Sequence, residues 1–323
     1  MFSGKNDGKI TRIIYTSDLH ASDRTFMKFT NLIRMCKADV AIVGGDVTGK
    51  AIVPIVRRPD GTYSAYFQGL DQIATNEGKV VELERNISTN GMYAYRTTKE
   101  EIDALDADKK KFSDLFAELM KERLIRWLRI IEERVKQVGA RVYIMGGNDD
   151  DPLVDEVIRD SGFVVNPDGM VLNIGENYEM ISTGYGNITP WNCPRDIPEE
   201  RLAEKIESMA SKVTNMNSCI FNFHVPPINT LLDQCPKLDT SVYPPKPRLG
   251  EMTSGGSLAV RQAIEKYQPL LGLHGHIHES KGLDKIGRTT CFNPGSEYSE
   301  GILGGVMVNL SRGGMKSFQF ISG

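Results

Sequence analysis

Short apolar runs, each stopping at a small cluster of polar residues, recur along this chain. Arg12 to Ser17 reads as a buried strand running into a loop at Asp18. Apolar residues then fall at helical spacing, at Phe26, Phe29, Leu32, Ile33 and Cys36. A second β-branched run, Val40 to Gly44, ends in Gly44-Gly45-Asp46. This order of strand, loop, helix, strand and loop predicts a parallel α/β sheet. Ligand sites in such sheets lie beyond the carboxyl ends of the strands, where these polar residues stand.

Residues 51–105 break the pattern. Ile52 to Val56 and Tyr63 to Phe67 flank Pro59-Asp60-Gly61 and read as a hairpin around an Asp-Gly turn. Lys79 to Glu84 and Met92 to Arg96 read as further strands. The segment is expected to be a strand-rich insertion after the second core strand, within a single domain spanning 1–323, serving as a cap or a subunit contact. Asp106 to Val138 then reads as one long helix, with an apolar stripe from Phe112 through Leu124, Trp127 and Ile131 to Val138. The stripe is read as core packing.

Strand patterns resume at Arg141 to Met145, ending in Gly146-Gly147-Asn148-Asp149, and Pro152 to Ser161 suits a short helix. Phe163 to Val165, Met170 to Ile174, Glu179 to Ser182 and Ser218 to Phe223 read as strands, the last ending at His224. Ser257 to Tyr267 is helical, and Leu270 to Leu273 runs into His274-Gly275-His276-Ile277-His278. Thr289 to Phe292, Gly305 to Leu310 and Lys316 to Ile321 close the chain as strands.

Composition narrows the function classes. A formal net charge of -3 argues against a protein that coats nucleic acid or anionic membrane. Local clusters such as Arg57-Arg58 and Lys109-Lys110-Lys111 remain, the latter read as a solvated helix start. The five cysteines are scattered and never spaced C-x-x-C, which fits neither a disulfide framework nor a zinc finger. The first nine residues hold no apolar core of a secretory signal, and no apolar run reaches membrane-spanning length. A reduced, cytoplasmic protein is expected.

The chain holds five histidines, and His20, His224, His274, His276 and His278 all follow apolar strand-like runs. Asp18, Asp46 and Asn148 stand at equivalent strand ends. One such residue alone is usually a turn, a cap or a satisfied polar group. Together they offer the carboxylate, amide and imidazole donors that suit paired divalent first-row metals. Ligand type does not choose among Mn, Fe, Co, Ni and Zn.

Asp18-Leu19-His20, Gly45-Asp46, Gly147-Asn148-Asp149, His224 and Gly275-His276-Ile277-His278 resemble, in order, the five blocks of the calcineurin-like metallophosphoesterases, which read D-x-H, G-D, G-N-H, H and G-H-x-H. Asn293-Pro294-Gly295-Ser296 is similar to the segment after the last block in many bacterial and archaeal branches. The resemblance spans 18–278. It implies a four-layer αββα sandwich with two divalent metals at one edge, Mn or Fe favoured. Asp18, His20 and His278 would hold one ion; Asn148, His224 and His276 would hold the other, and Asp46 would bridge them. A metal-bound hydroxide would then cleave the phosphoester. Asp46, Asn148 and Asp149 become the candidate catalytic positions, with Asn148 also contacting substrate. By the same pattern His274 is not a ligand and would have a hydrogen-bonding role behind the site.

The departure is Asp149, where the family pattern has a histidine that assists the leaving oxygen. A carboxylate there repels phosphate unless its pKa is raised or a cation lies beside it. Branches lacking that histidine often act on phosphodiesters, so a diester is favoured over a monoester. Arg195, in the loop from Thr183 to Pro194 and beyond, is a candidate phosphate partner. The expected partner is a small-molecule phosphoester. A nuclease and a non-catalytic scaffold on the same fold are the alternatives, nucleic acid is not favoured, and a homo-oligomer stays open.

Overall fold

The computed structural model describes residues 9–242 and 244–323. The N-terminal segment read above for a signal lies almost wholly outside the described residues.

Two six-stranded sheets carry the fold. In the first, Thr11–Thr16, Val40–Val43, Arg141–Ile144 and Val164–Val165 run parallel, and Gly304–Ser311 and Gly314–Ser322 extend the other edge antiparallel. In the second, Tyr178–Thr183, Cys219–Phe223, Leu271–Leu273 and Thr289–Asn293 run parallel. Val171–Ile174 and Gly282–Ile286 flank them antiparallel. Side-chain alternation divides each strand between two cores. Ile13, Tyr15, Val40 and Ile42 meet Met180, Ile220, Leu273 and Phe292 between the sheets. Ile14, Ala41, Val43 and Val142 face outward, onto the helices Asp23–Met35, Lys109–Val135 and Leu153–Arg159. Ile181, Phe221 and Cys291 do the same on the far side, onto Glu199–Ala210 and Leu258–Tyr267. The result is the expected αββα layering. Because both faces of these strands are buried, the sequence showed continuous apolar runs rather than alternation.

The segment after Val40–Val43 makes its own four-stranded sheet, in the order Leu70–Ala74, Tyr63–Phe67, Ile52–Arg57, Tyr93–Thr97, around a separate core of Val53, Ile55, Phe67, Val80, Leu83 and Ile87. Lys79 to Glu84, expected as strand, lies instead in the helix Glu77–Thr89, capped by the Asn76 side chain. The pair Val80-Val81 suggested strand, but Val80, Leu83 and Ile87 sit at helical spacing on the buried face while Val81 is exposed. The expected long helix is present as Lys109–Val135 with a 3-10 turn over Lys136–Val138, while Asp106 and Ala107 end a separate helix before it. Lys99–Ala107 opens on a Thr98/Glu101 capping box, and Asp108 then caps Lys109–Val135. Phe112, read as part of the apolar stripe, is exposed, and full burial begins only at Met120. Lys109 to Lys111 are exposed, as a solvated start requires. Among the described residues no helix is long and apolar enough to cross a membrane.

Candidate metal centre

The carboxyl ends of the parallel strands from both sheets converge at one edge. Asp18 and Asp46 follow strands of the first sheet, as does Asn148; His224 and His276 follow strands of the second. The loops are stitched by backbone bonds: Asp18 N donates to the Gly45 carbonyl, His20 N to that of Asp46, and Gly275 N to that of His224. Asp18, His20, Asp46 and His276 all adopt left-handed backbone, with φ of 59°, 40°, 50° and 67°. Non-glycine residues held there cost about 1–3 kcal/mol each, and such strain gathers at functional sites. The block glycines have a steric cause. A Cβ at Gly147 would meet Asp46 Oδ1 at 2.2 Å, and one at Gly275 would meet Asp18 Oδ2 at 2.3 Å.

Two ligand groups result. Asp18, His20 and His278 bring their donor atoms within 4.8 Å of one another, as do Asp46, His224 and His276. His20 Nε2 lies 3.1 Å from His278 Nε2, which in turn lies 3.5 Å from Asp18 Oδ1. Donors each about 2.1 Å from one ion stand roughly 3–3.5 Å apart, so these separations would suit residues that hold a divalent ion. Asp46 lies between the groups. Its Oδ1 is 3.4 Å from His224 Nε2 and its Oδ2 is 3.7 Å from His20 Nε2. Asn148 donates from Nδ2 to Asp196 Oδ1 at 2.9 Å, which fixes the amide, and its buried Oδ1 has no partner. His224 donates from Nδ1 to the Gly44 carbonyl at 3.0 Å, so that Nε2 is the free face of the ring, and this buried nitrogen too lacks a hydrogen bond. Buried polar atoms left without a hydrogen bond are costly unless something else binds them. The residues present therefore fit a pair of divalent ions.

Electrostatics agrees. Burial works against both carboxylates, yet the His278 and His224 imidazoles hold Asp18 down at about 2, and His224, His20 and Lys50 hold Asp46 well below its usual range. Burial pushes His20 down to about 3 and His276 to about 4, leaving neutral imidazoles with a lone pair to offer. His224 moves the other way. Burial opposes it, but the Asp46 and Asp18 carboxylates raise it to about 9. A proton on His224 thus balances two buried carboxylates until a cation replaces it.

His274 is fully buried behind the centre, donates from Nδ1 to the Phe223 carbonyl at 2.8 Å, and joins neither ligand group. Asp149 does stand at the centre. Its carboxylate lies within 4.8 Å of donors on His20 and Asp46, and its Oδ2 pairs with Lys50 Nζ at 2.7 Å. Arg195, a candidate phosphate partner in the sequence, lies elsewhere. It is 2% exposed, pairs with Asp155 at 3.0 Å and donates to the Asp150 and Asp151 carbonyls. It does not line the cleft in front of the centre, and its guanidinium braces the loop that carries Asn148.

Three residues escaped the sequence. Lys50 supplies the cation that Asp149 needs. Buried Asp150 accepts from Val47 N, Thr48 N and Gly147 N at 2.8–2.9 Å, clamping the Asp46 and Asn148 loops together. Asp196 holds the Asn148 amide through one oxygen and the 189–193 loop through the other. A Gly-Asn-Asp-Asp run hinted at Asp150; nothing local marked the other two.

No family model matches the chain. The uncharacterized protein MJ1162 of Methanocaldococcus jannaschii is 31% identical over 153 residues, which are 47% of this chain and 62% of that protein. One solved structure aligns at a TM-score of 0.57 and 15% identity, over 97% of this chain and 99% of its own. TT1561 of Thermus thermophilus aligns at 0.51 and 14% identity, over 98% and 99%. These two likenesses show a shared fold over nearly the whole chain, the αββα layering described above. Within this αββα sandwich, the convergence of both sheets' strand ends accounts for candidate ligand residues more than two hundred positions apart meeting at one edge.

Proposed function

We propose that this protein hydrolyses a phosphoester, a diester in preference to a monoester, with two divalent ions held by the residues above. The observation that carries the reading is Asp46, whose two carboxylate oxygens face different ligand groups. A pair of divalent ions supplies a water nucleophile of lowered pKa and positive charge for the transition state. The remaining contributions belong to the chain. Asp46 offsets repulsion between the cations, and neutral His20 and His276 present lone pairs without a competing proton. Asn148 offers its orphaned oxygen, oriented by Asp196. Lys50 attracts an anionic group, while Asp149 beside it limits how much negative charge the position tolerates. A diester carries one negative charge at neutral pH and a monoester nearly two, which favours the diester.

The test is a phosphoester panel on protein reconstituted separately with Mn, Fe, Co, Ni or Zn, alongside metal analysis. About two ions per chain and metal-dependent diester turnover are expected. Turnover that survives exhaustive chelation, or no turnover with any ion at full occupancy, would sink the reading.

A further inference from the structure

In front of the centre lies a cleft of about 730 Å³. That is the volume of a drug-sized ligand, far beyond one phosphoryl group. Asp46, Lys50, Asn148, Asp149, His276 and His278 form its floor. One side wall is the 187–193 loop, with Ile188 and Trp191 exposed by 58% and 49%. The lining also includes Pro236, Leu238 and Pro247, from the hairpin of Gln234–Asp239 and Lys246–Ser254. Large apolar side chains standing open beside a charged centre mark a binding surface.

The Trp191 wall is tied to the floor. Asp196 accepts from Thr189 N at 2.8 Å and Cys193 N at 3.0 Å, on either side of Trp191, while its other oxygen holds the Asn148 amide at 2.9 Å. One carboxylate therefore sets the distance between an aromatic wall and a metal-ligand side chain. Charge narrows the occupant further. Lys50 is the single lysine or arginine among the described residues that line the cleft, and it is already paired with Asp149. Glu199 also lines it but is committed to the N-terminus of Leu258–Tyr267, accepting from Ser257 Oγ, Leu258 N and Ala259 N. A polynucleotide or polyphosphate needs a row of cations that this lining lacks.

We propose that the cleft is an arm-binding subsite, selecting a singly charged phosphodiester whose non-leaving group is apolar and aromatic in size, packed against Trp191 and Leu238. The inference rests on the phosphoesterase reading. The arm's recognition is separable from the chemistry at the floor.

The test holds the leaving group constant. The metal-loaded protein is given p-nitrophenyl phenyl phosphate and p-nitrophenyl methyl phosphate, and calorimetry measures binding of diphenyl phosphate against dimethyl phosphate. The phenyl arm should lower KM and Kd by about 10-fold or more, the worth of burying a ring against apolar walls. Trp191→Ala should reduce that phenyl-to-methyl ratio by about 10-fold, and Leu238→Ala, from the hairpin, should reduce it less. Equal binding of both diesters, a ratio untouched in both variants, or faster turnover of an oligonucleotide would overturn the proposal. Loss of all metal-dependent turnover with the binding ratio intact would instead overturn the phosphoesterase reading and leave the subsite standing.

Discussion

At the candidate metal centre beneath the cleft, Asp18, Asp46, Asn148 and His224 are no more than 3% exposed, several of the candidate ligands sit on left-handed backbone, and their polar contacts are closely set. At its walls, Trp191 and Ile188 stand half open to solvent on a loop, and the other lining segment is a hairpin outside both main sheets. The floor is made by packing, since the sheets deliver strand ends whose positions cannot vary independently. The walls hang on a few side-chain bonds, above all those of Asp196. Chemistry should therefore fail abruptly when the floor is altered, and selectivity should change gradually when the walls are.

The largest break is expected at Asp46. Asp46→Ala should reduce turnover by at least the roughly 10³-fold that loss of one buried transition-state charge partner costs, with the sheet still folded by circular dichroism. Near wild-type activity at saturating metal would show that the bridge lies elsewhere. A second floor effect is a proton linkage at His224, whose pKa in the ion-free site stands near 9 against an ordinary 6.5. A raised imidazole pKa stabilises the ion-free protein fully below 6.5 and loses that contribution as pH rises through 9. An ion must displace the proton below that point. Metal affinity from competition titration should therefore climb about tenfold per pH unit, or about 10²-fold from pH 6 to pH 8. A flat profile would remove the proton from His224.

What could be read in the sequence follows the same division. Asp18, His20, His276 and His278 were legible because a buried strand that ends in several ligand-type residues has few other uses. The αββα layering followed from the βαβ pattern and the resemblance. Lys50, Asp150 and Asp196 were not legible, because each acts through a neighbour brought close only by folding; Asp150 clamps Val47 and Thr48 from 103 and 102 positions away. The hairpin of Gln234–Asp239 and Lys246–Ser254 was missed because it is rich in proline and charge and buries little. The helix Glu199–Ala210 was not legible either, because charged residues separate its few buried positions, Leu202, Ile206, Met209 and Ala210.

Arg195 separates the two regions from beneath. As a phosphate partner it would govern KM; as a buried brace it should govern stability. Arg195→Ala removes the ion partner of Asp155, which is 27% exposed and keeps its bond from Asn166, so the loss should fall below the about 3–5 kcal/mol of breaking a fully buried pair. Thermal and denaturant unfolding should show that loss. Arg195→Lys, which keeps the charge but not the planar fork, should lower the melting temperature while KM for a diester changes by less than about threefold. A KM rise of tenfold or more in Arg195→Lys, without destabilisation, would return Arg195 to the substrate.

The smallest expected effect, and the finest test of the boundary between floor and wall, concerns Lys50 and Asp149. Lys50 is held well into its cationic range: burial opposes this, but Asp149 and Asp46 outweigh it. Its side chain is 54% exposed, so solvent screens it, and Lys50→Ala should lower diester kcat/KM by about 10-fold, short of the 10²–10³-fold of a buried donor. Asp149→Ala should cost under about threefold. It removes a negative charge and frees Lys50, so the ratio of monoester to diester turnover should rise. If the two residues act as a pair, Lys50→Ala should cost more in the Asp149→Ala background than alone, because the unpaired ammonium then serves only the substrate. Asp149→His should raise monoester turnover further, within the roughly 10²–10⁴-fold that a positioned acid supplies. A contrary outcome is well defined. Asp149 shares a ligand group with His20 and Asp46, and if Asp149→Ala proves as inactive as Asp46→Ala, with fewer than two ions bound, Asp149 belongs to the metal shell and Lys50 only balances its charge.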